Sequence, residues 1–176
     1  YHDIGKLDNP LFFIENQMAG VNPHDELSAD ESAKVIISHV IKGIEKAKKF
    51  NLPEQIIDFI RTHHGESMVQ YFYRQYVTKF PEKMDHTEQF CYPGPKPFSI
   101  ETAVLMMADS VEAATRSLPE KNPEKISDLV NNIIQNQMNN GQFDNAYITL
   151  KEIELIKKIF IKKLQNIHHS RIEYPS

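Results

Sequence analysis

An all-α fold follows from three features of this sequence. Helix-start signatures recur along it, and apolar residues repeat at three- and four-residue intervals after them. No stretch alternates apolar and polar residues as a half-buried strand would.

Tyr1-His2-Asp3-Ile4-Gly5-Lys6 reads as the end of a helix, with Gly5 placed to cap it and the helix body expected upstream of Tyr1. Residues 7–27 have no sustained period and read as loop with one helical turn. Ser28-Ala29-Asp30-Glu31 has capping-box spacing and predicts a helix to about Phe50. Its apolar stripe runs through Val35, Ile36, Val40, Ile44 and Ala47, so His39 faces inward. Pro53 opens a second helix that buries Ile56, Ile57, Phe59 and Ile60, ends on His63-His64 and stops at Gly65. Met68 to Phe80 is a third, aromatic-rich helix with Arg74 on its polar side. The prolines between Pro81 and Pro97 mark a long ordered loop or flap. Ser99 caps a strongly apolar helix to about Ser117 with Asp109 in its middle. Asn122-Pro123 begins another, which Asn140-Gly141 ends, and Thr149-Leu150-Lys151-Glu152 is a capping box for a last helix to about His168.

The 176 residues suit one domain with a real core. At 40% hydrophobic and 25% charged the composition is that of a soluble globular protein, and a net charge of -4 does not advertise a nucleic-acid polymer or an anionic membrane as partner. The single cysteine, Cys91, excludes an internal disulfide and a Cys-based zinc site, and is compatible with a reducing cytoplasm. The apolar run Ala103 to Ala108 falls far short of the ~20 residues that span a bilayer.

Asp109 is the most informative acidic residue after Asp3. A buried carboxylate in an apolar helix must be offset by a cation or by hydrogen bonds, whereas a solvent-facing one would pair with Arg116 two turns along. His39 alone could be a core histidine with one hydrogen bond. His63-His64 could be helix-capping groups, but adjacent histidines splay about 100° apart and can reach one centre from two directions. Taken jointly, two inward-facing histidine sites, a mid-helix aspartate and the His2-Asp3 pair are seldom produced by random placement of eight histidines. Imidazole and carboxylate ligands suit iron, manganese, cobalt or zinc better than magnesium or calcium. Two such ions would activate water, hold a phosphate and stabilise a departing oxygen. His24-Asp25 repeats the dipeptide but reads as a loop pair, and His168-His169 as a surface or packing pair.

These ligands resemble those of the HD-domain metal phosphohydrolases, in the subgroup whose additional and paired histidines hold a di-metal centre. His2-Asp3-Ile4-Gly5-Lys6, Phe12-Phe13-Ile14-Glu15-Asn16-Gln17, Asn22-Pro23-His24-Asp25, His63-His64-Gly65, Tyr92-Pro93-Gly94-Pro95-Lys96-Pro97, Ala108-Asp109-Ser110-Val111-Glu112-Ala113 and His169-Ser170-Arg171-Ile172-Glu173-Tyr174-Pro175 are similar to the cytoplasmic domain of the seven-transmembrane HD proteins, bacterial membrane-anchored cyclic di-AMP phosphodiesterases.

The resemblance implies an HD-domain helical bundle with a di-metal site in its core, spanning residues 1–176 as one domain truncated at its N-terminal end. Asp3 would bridge two divalent ions, iron or manganese. His2 and Asp109 would serve one ion, and His39, His63 and His64 the other. A further histidine ligand would lie upstream of Tyr1. A metal-bound hydroxide would open cyclic di-AMP to linear pApA, with Lys6 as a positive charge for phosphate and Tyr73, Arg74 and Arg116 as candidate substrate contacts, each otherwise a solvated or salt-bridged side chain. Cys91 stands where the family pattern has arginine. The fragment itself reads as soluble, and the full-length protein would sit at the cytoplasmic face of the bacterial membrane. A cyclic di-GMP enzyme of the HD-GYP type would carry Gly-Tyr-Pro soon after the paired histidines, where Gly65-Glu66-Ser67 stands here. A nucleotide-sensing module without turnover, or a hydrolase of another nucleotide, are the other readings.

Overall fold

Helix caps and apolar periods resolve into six α-helices in the computed structural model, which describes residues 1–17 and 22–169. No strand occurs among the described residues beyond one isolated bridge between Met68 and Cys91. The chain forms two compact units, Tyr1–Pro95 and Lys96–Ser176.

The first unit is built on α1 (Ala29–Lys49). The Ser28 hydroxyl accepts from the Glu31 amide, and the Glu31 carboxylate accepts from the Ser28 amide at 2.9 Å, so two orphan donors are satisfied at the helix start. Two apolar clusters pack along α1. Ala33 joins Phe72, Tyr76 and Phe90 near one end, and Ala47 joins Ile57 and Ile60 near the other. Between them stands His39, 2% exposed. α2 (Glu54–Thr62) and α3 (Gln70–Lys79) supply the opposing faces. The histidine pair falls at the end of α2, with His63 as its C-cap and Gly65 at φ 51°, a left-handed conformation that glycine adopts without penalty.

The opening residues differ from the helix end that their sequence suggests. Gly5 lies inside a 3-10 helix, Ile4–Asp8, and is not a left-handed cap. What it supplies is the absence of a side chain, because a Cβ there would stand 1.8 Å from the His39 carbonyl oxygen and 2.6 Å from the Gly43 nitrogen. Lys46 on α1 holds Asp8 at 2.5 Å and pins the far end of this turn. In place of the single turn expected in residues 7–27, three more 3-10 helices follow at Pro10–Phe12, Ile14–Asn16 and Pro23–Glu26.

The proline-rich stretch is ordered by two 3-10 turns and by its return to the chain after His64. The Val69 amide donates to the Phe90 carbonyl at 2.8 Å and the Tyr92 amide to the Ser67 carbonyl at 2.9 Å. Phe90 is fully buried by this closure.

In the second unit, α4 (Ile100–Arg116), α5 (Pro123–Asn139) and α6 (Leu150–His169) enclose Met106, Met107, Val111, Ile126, Val130, Ile134, Ile153 and Leu164. Ser99, Asn122 and Thr149 cap their N-termini as their sequences predict, and Gly141 at φ 63° follows α5. Asp109 occupies the middle of α4, half-buried. The side chains of His168 and His169 and the motif through Pro175 lie outside the described residues.

Candidate metal centre

Helix geometry decides which nitrogen each buried histidine presents. On α1 the His39 Nδ1 donates to the Ile36 carbonyl at 2.5 Å, and at the end of α2 the His63 Nδ1 donates to the Ile60 carbonyl at 2.7 Å. In its neutral form each ring thereby keeps its proton on Nδ1 and turns an Nε2 lone pair inward. Those two Nε2 atoms face each other at 3.1 Å in a buried setting, with His63 fully shielded from solvent. Two lone pairs at that separation repel unless a cation lies against both. One ligand nitrogen from each of His39, His63 and His64 lies within 4.8 Å of the others.

Asp3 completes the group within this unit. Its Oδ1 is 3.5 Å from His39 Nε2 and 3.6 Å from His63 Nε2, and is buried without a hydrogen bond. Native structures seldom leave such an oxygen unsatisfied. A buried orphan carboxylate oxygen beside two bare imidazole nitrogens is a donor set that fits a divalent transition metal. His2 Nε2 lies 3.3 Å from the other oxygen, Oδ2, and its ring meets His63 edge-on with centroids 5.0 Å apart.

Lys6 binds this carboxylate from the opposite side. Its Nζ donates to Asp3 Oδ2 at 2.9 Å and to Glu15 Oε1 at 2.7 Å, and stands 5.0 Å from the Phe13 ring centre. Burial pulls the Lys6 ammonium toward neutrality, but Glu15 and Asp3 outweigh it and raise its pKa, so it stays charged. For Asp3, burial favours the protonated form, yet the contacts of its Oδ2 with His2 and with the Lys6 ammonium hold its carboxyl far below the usual range. Burial lowers His39 from 6.5 to about 4, opposed by its bond to Ile36, and burial carries His64 well below its ordinary value. Both rings are therefore neutral near pH 7, as metal ligands must be.

The structure thus brings together His2, Asp3, Lys6, His39, His63 and His64. Asp109 and Arg116 belong to the other unit, where Arg116 forks onto the Glu112 carboxylate through Nε at 2.9 Å to each oxygen. Tyr73 donates its hydroxyl to the Met84 carbonyl at 2.8 Å, and Arg74 is an exposed residue of α3. His24, set aside by sequence as a loop residue, binds the Phe12 carbonyl through Nε2 at 3.0 Å and packs on Phe72 with centroids 4.8 Å apart.

Three neighbours of the centre escape sequence reasoning. Tyr92 stacks on His64 with centroids 4.2 Å apart, Phe13 meets His39 edge-on at 5.6 Å, and Glu15 holds Lys6. All three come from aperiodic segments, so only their membership of the quoted motifs could have flagged them. Cys91 is no ready nucleophile, since burial, Glu88 and Glu66 all push its thiol up.

Known proteins are similar to nearly the whole of this chain. The family model described as HD domain matches residues 1–114. The chain is 46% identical over 177 residues to the cyclic-di-AMP phosphodiesterase PgpH of Bacillus subtilis, covering 99% of this chain and 24% of that protein. It is 41% identical over 175 residues to PgpH of Listeria monocytogenes, again covering 99% and 24%. The chain spans about a quarter of the length of these curated relatives. Among solved structures, the L. monocytogenes PgpH HD domain is similar at a TM-score of 0.88 and 40% identity, over 96% of this chain and 78% of that one. The same domain in complex with cyclic-di-AMP gives 0.91 and 40%, over 95% and 77%.

Proposed function

The chain belongs to the HD domain family, and from that premise we propose that residues 1–176 act as one HD phosphohydrolase domain that hydrolyses cyclic di-AMP to pApA with two divalent transition-metal ions, iron or manganese. The observation that carries this reading is the facing pair of bare Nε2 atoms with the orphan Asp3 Oδ1 beside them. When bound, such ions supply the Lewis acidity that activates water, holds the phosphodiester and stabilises the departing oxygen.

The protein's own contribution is positional and electrostatic. His39, His63 and His64 would hold one ion, and burial keeps the His39 and His64 rings unprotonated. Asp3 would serve both ions, its carboxylate kept ionised by the polar contacts around it. By the family resemblance, His2 and Asp109 would be ligands of the second ion. The assignment of Asp109 rests on the Ala108-Asp109-Ser110 motif. Lys6 stays charged and presents its ammonium to a phosphate oxygen, with Glu15 steadying it between turnovers. Tyr73, Arg74 and Arg116 remain candidate substrate contacts, and Arg116 must leave Glu112 to serve.

The relatives' names and the neighbour solved with cyclic-di-AMP support this substrate. No described helix is long and apolar enough to cross a membrane. By the family resemblance, we place the full-length protein at the cytoplasmic face of the bacterial membrane, anchored by parts other than these residues.

The test is metal analysis combined with a nucleotide panel. Manganese- or iron-loaded protein should release pApA from cyclic di-AMP, and Asp3→Ala should lose both metal and at least about 100-fold in rate. Binding of metal and nucleotide without linear product would replace the enzyme by a sensor.

A further inference from the structure

The two oxygens of the Asp3 carboxylate are held differently. Oδ2 accepts from the Lys6 ammonium at 2.9 Å and lies 3.3 Å from His2 Nε2, whereas Oδ1, toward His39 and His63, makes no hydrogen bond. The lysine thus occupies one oxygen and leaves the other turned to the histidines. A carboxylate without that tether would rotate and lose the distinction.

A lysine alone is a poor tether, because its ammonium rides on a flexible four-carbon stem. Here a second carboxylate, nine positions along the chain, takes up that freedom. Glu15 Oε1 accepts from Lys6 Nζ at 2.7 Å, and the Phe13 ring centre lies 5.0 Å from the same nitrogen. Asp3 and Glu15 take two of the three ammonium N–H groups and leave the third for a phosphate oxygen.

The segment that carries Glu15 is itself anchored. Phe13 is 6% exposed and packs edge-on against His39, and His24 binds the Phe12 carbonyl at 3.0 Å. The Asn16 amide donates to the Phe13 carbonyl at 2.8 Å and closes the turn around Glu15. Exposed ion pairs contribute little because two mobile side chains must be held in one geometry. Lys6 escapes that limit, since its side chain is only 20% exposed and shared between two carboxylates.

We infer that Glu15 is a positioning residue of the metal centre: it holds Lys6 on Asp3 Oδ2 and thereby keeps Oδ1 turned to His39 and His63. The inference rests on the reading of these residues as a metal centre and is independent of which nucleotide is cut. Groups that orient a metal ligand from outside typically change metal affinity about 10- to 100-fold.

Manganese titrations, read as Kd, test it. Glu15→Ala should weaken binding about 10- to 100-fold. Two conservative variants separate position from charge. Glu15→Gln keeps the reach and an acceptor oxygen without the charge, and Glu15→Asp keeps the charge but falls one methylene short. Positioning predicts tighter binding by the Gln variant than by the Asp variant, and Asp binding as tightly as Gln, or tighter, overturns it. This comparison decides alone should the Ala variant fail to fold. In Lys6→Met protein, Glu15→Ala should cost nothing further, and a loss as large as in the unmodified background also overturns the role. No manganese binding by the unmodified protein overturns the metal-centre reading itself, whereas binding that Glu15→Ala leaves unchanged overturns the positioning role alone.

Discussion

At the scale of single residues, the centre depends on histidines that are costly to protonate. Between pH 6.5 and about 4 the unfolded chain takes up a proton at His39 that the folded protein refuses. Stability of the metal-free protein therefore falls as pH drops through that window, by up to about 3 kcal/mol from this one group. Denaturant melts at pH 7 and pH 4.5 check the sign, and His39→Gln should flatten the difference. His39, His63 and His64 were legible in the sequence because helical period and a glycine stop decide where those rings point. Tyr92, Phe13 and Glu15 were not, because 3-10 turns and extended segments impose no period from which a facing direction can be read.

Among the elements, the contact between the Ile4–Asp8 turn and α1 sets the position of Asp3. A methyl at Gly5 collides with the His39 backbone carbonyl, which cannot rotate away. Gly5→Ala should destabilise by about 1–3 kcal/mol and weaken metal affinity about 10- to 100-fold, measured by thermal melts and metal titration. Gly43→Ala should be milder, since its new methyl meets the Ile60 side chain at 2.9 Å, which can move. The helices themselves were readable from Ser28, Ser99, Asn122 and Thr149, whose side chains cap locally and leave a local signature. The role of Gly5 was not, because glycine marks a left-handed cap and a close approach with the same letter. Only the tertiary contact distinguishes them.

For the whole molecule, the facing lone pairs couple metal to stability. An ion that binds the folded chain at about 1,000 times its Kd adds about 4 kcal/mol. Chelation should then lower Tm by about 10 °C, which scanning fluorimetry with and without chelator measures. An unchanged Tm would show that the site holds no ion. All-α architecture was open to sequence reasoning because every helix carries its own amphipathic stripe. The division into two compact units was not, because which stripes enclose a common core is a non-local property: Ala33, Phe72, Tyr76 and Phe90 come together across 57 positions of chain, from 33 to 90.

The return of the proline-rich stretch to Ser67 and Val69 has a consequence for diversification. Everything between those residues and Phe90 leaves and re-enters the fold at one doorway, held by two backbone bonds that any side chains can make. α3 is thus a cassette: it carries the Tyr71 and Phe72 rings and none of the histidines gathered at the centre. Exchanging it between relatives should recast the aromatic surface around Phe72 while leaving the grouping of His39, His63 and His64 intact.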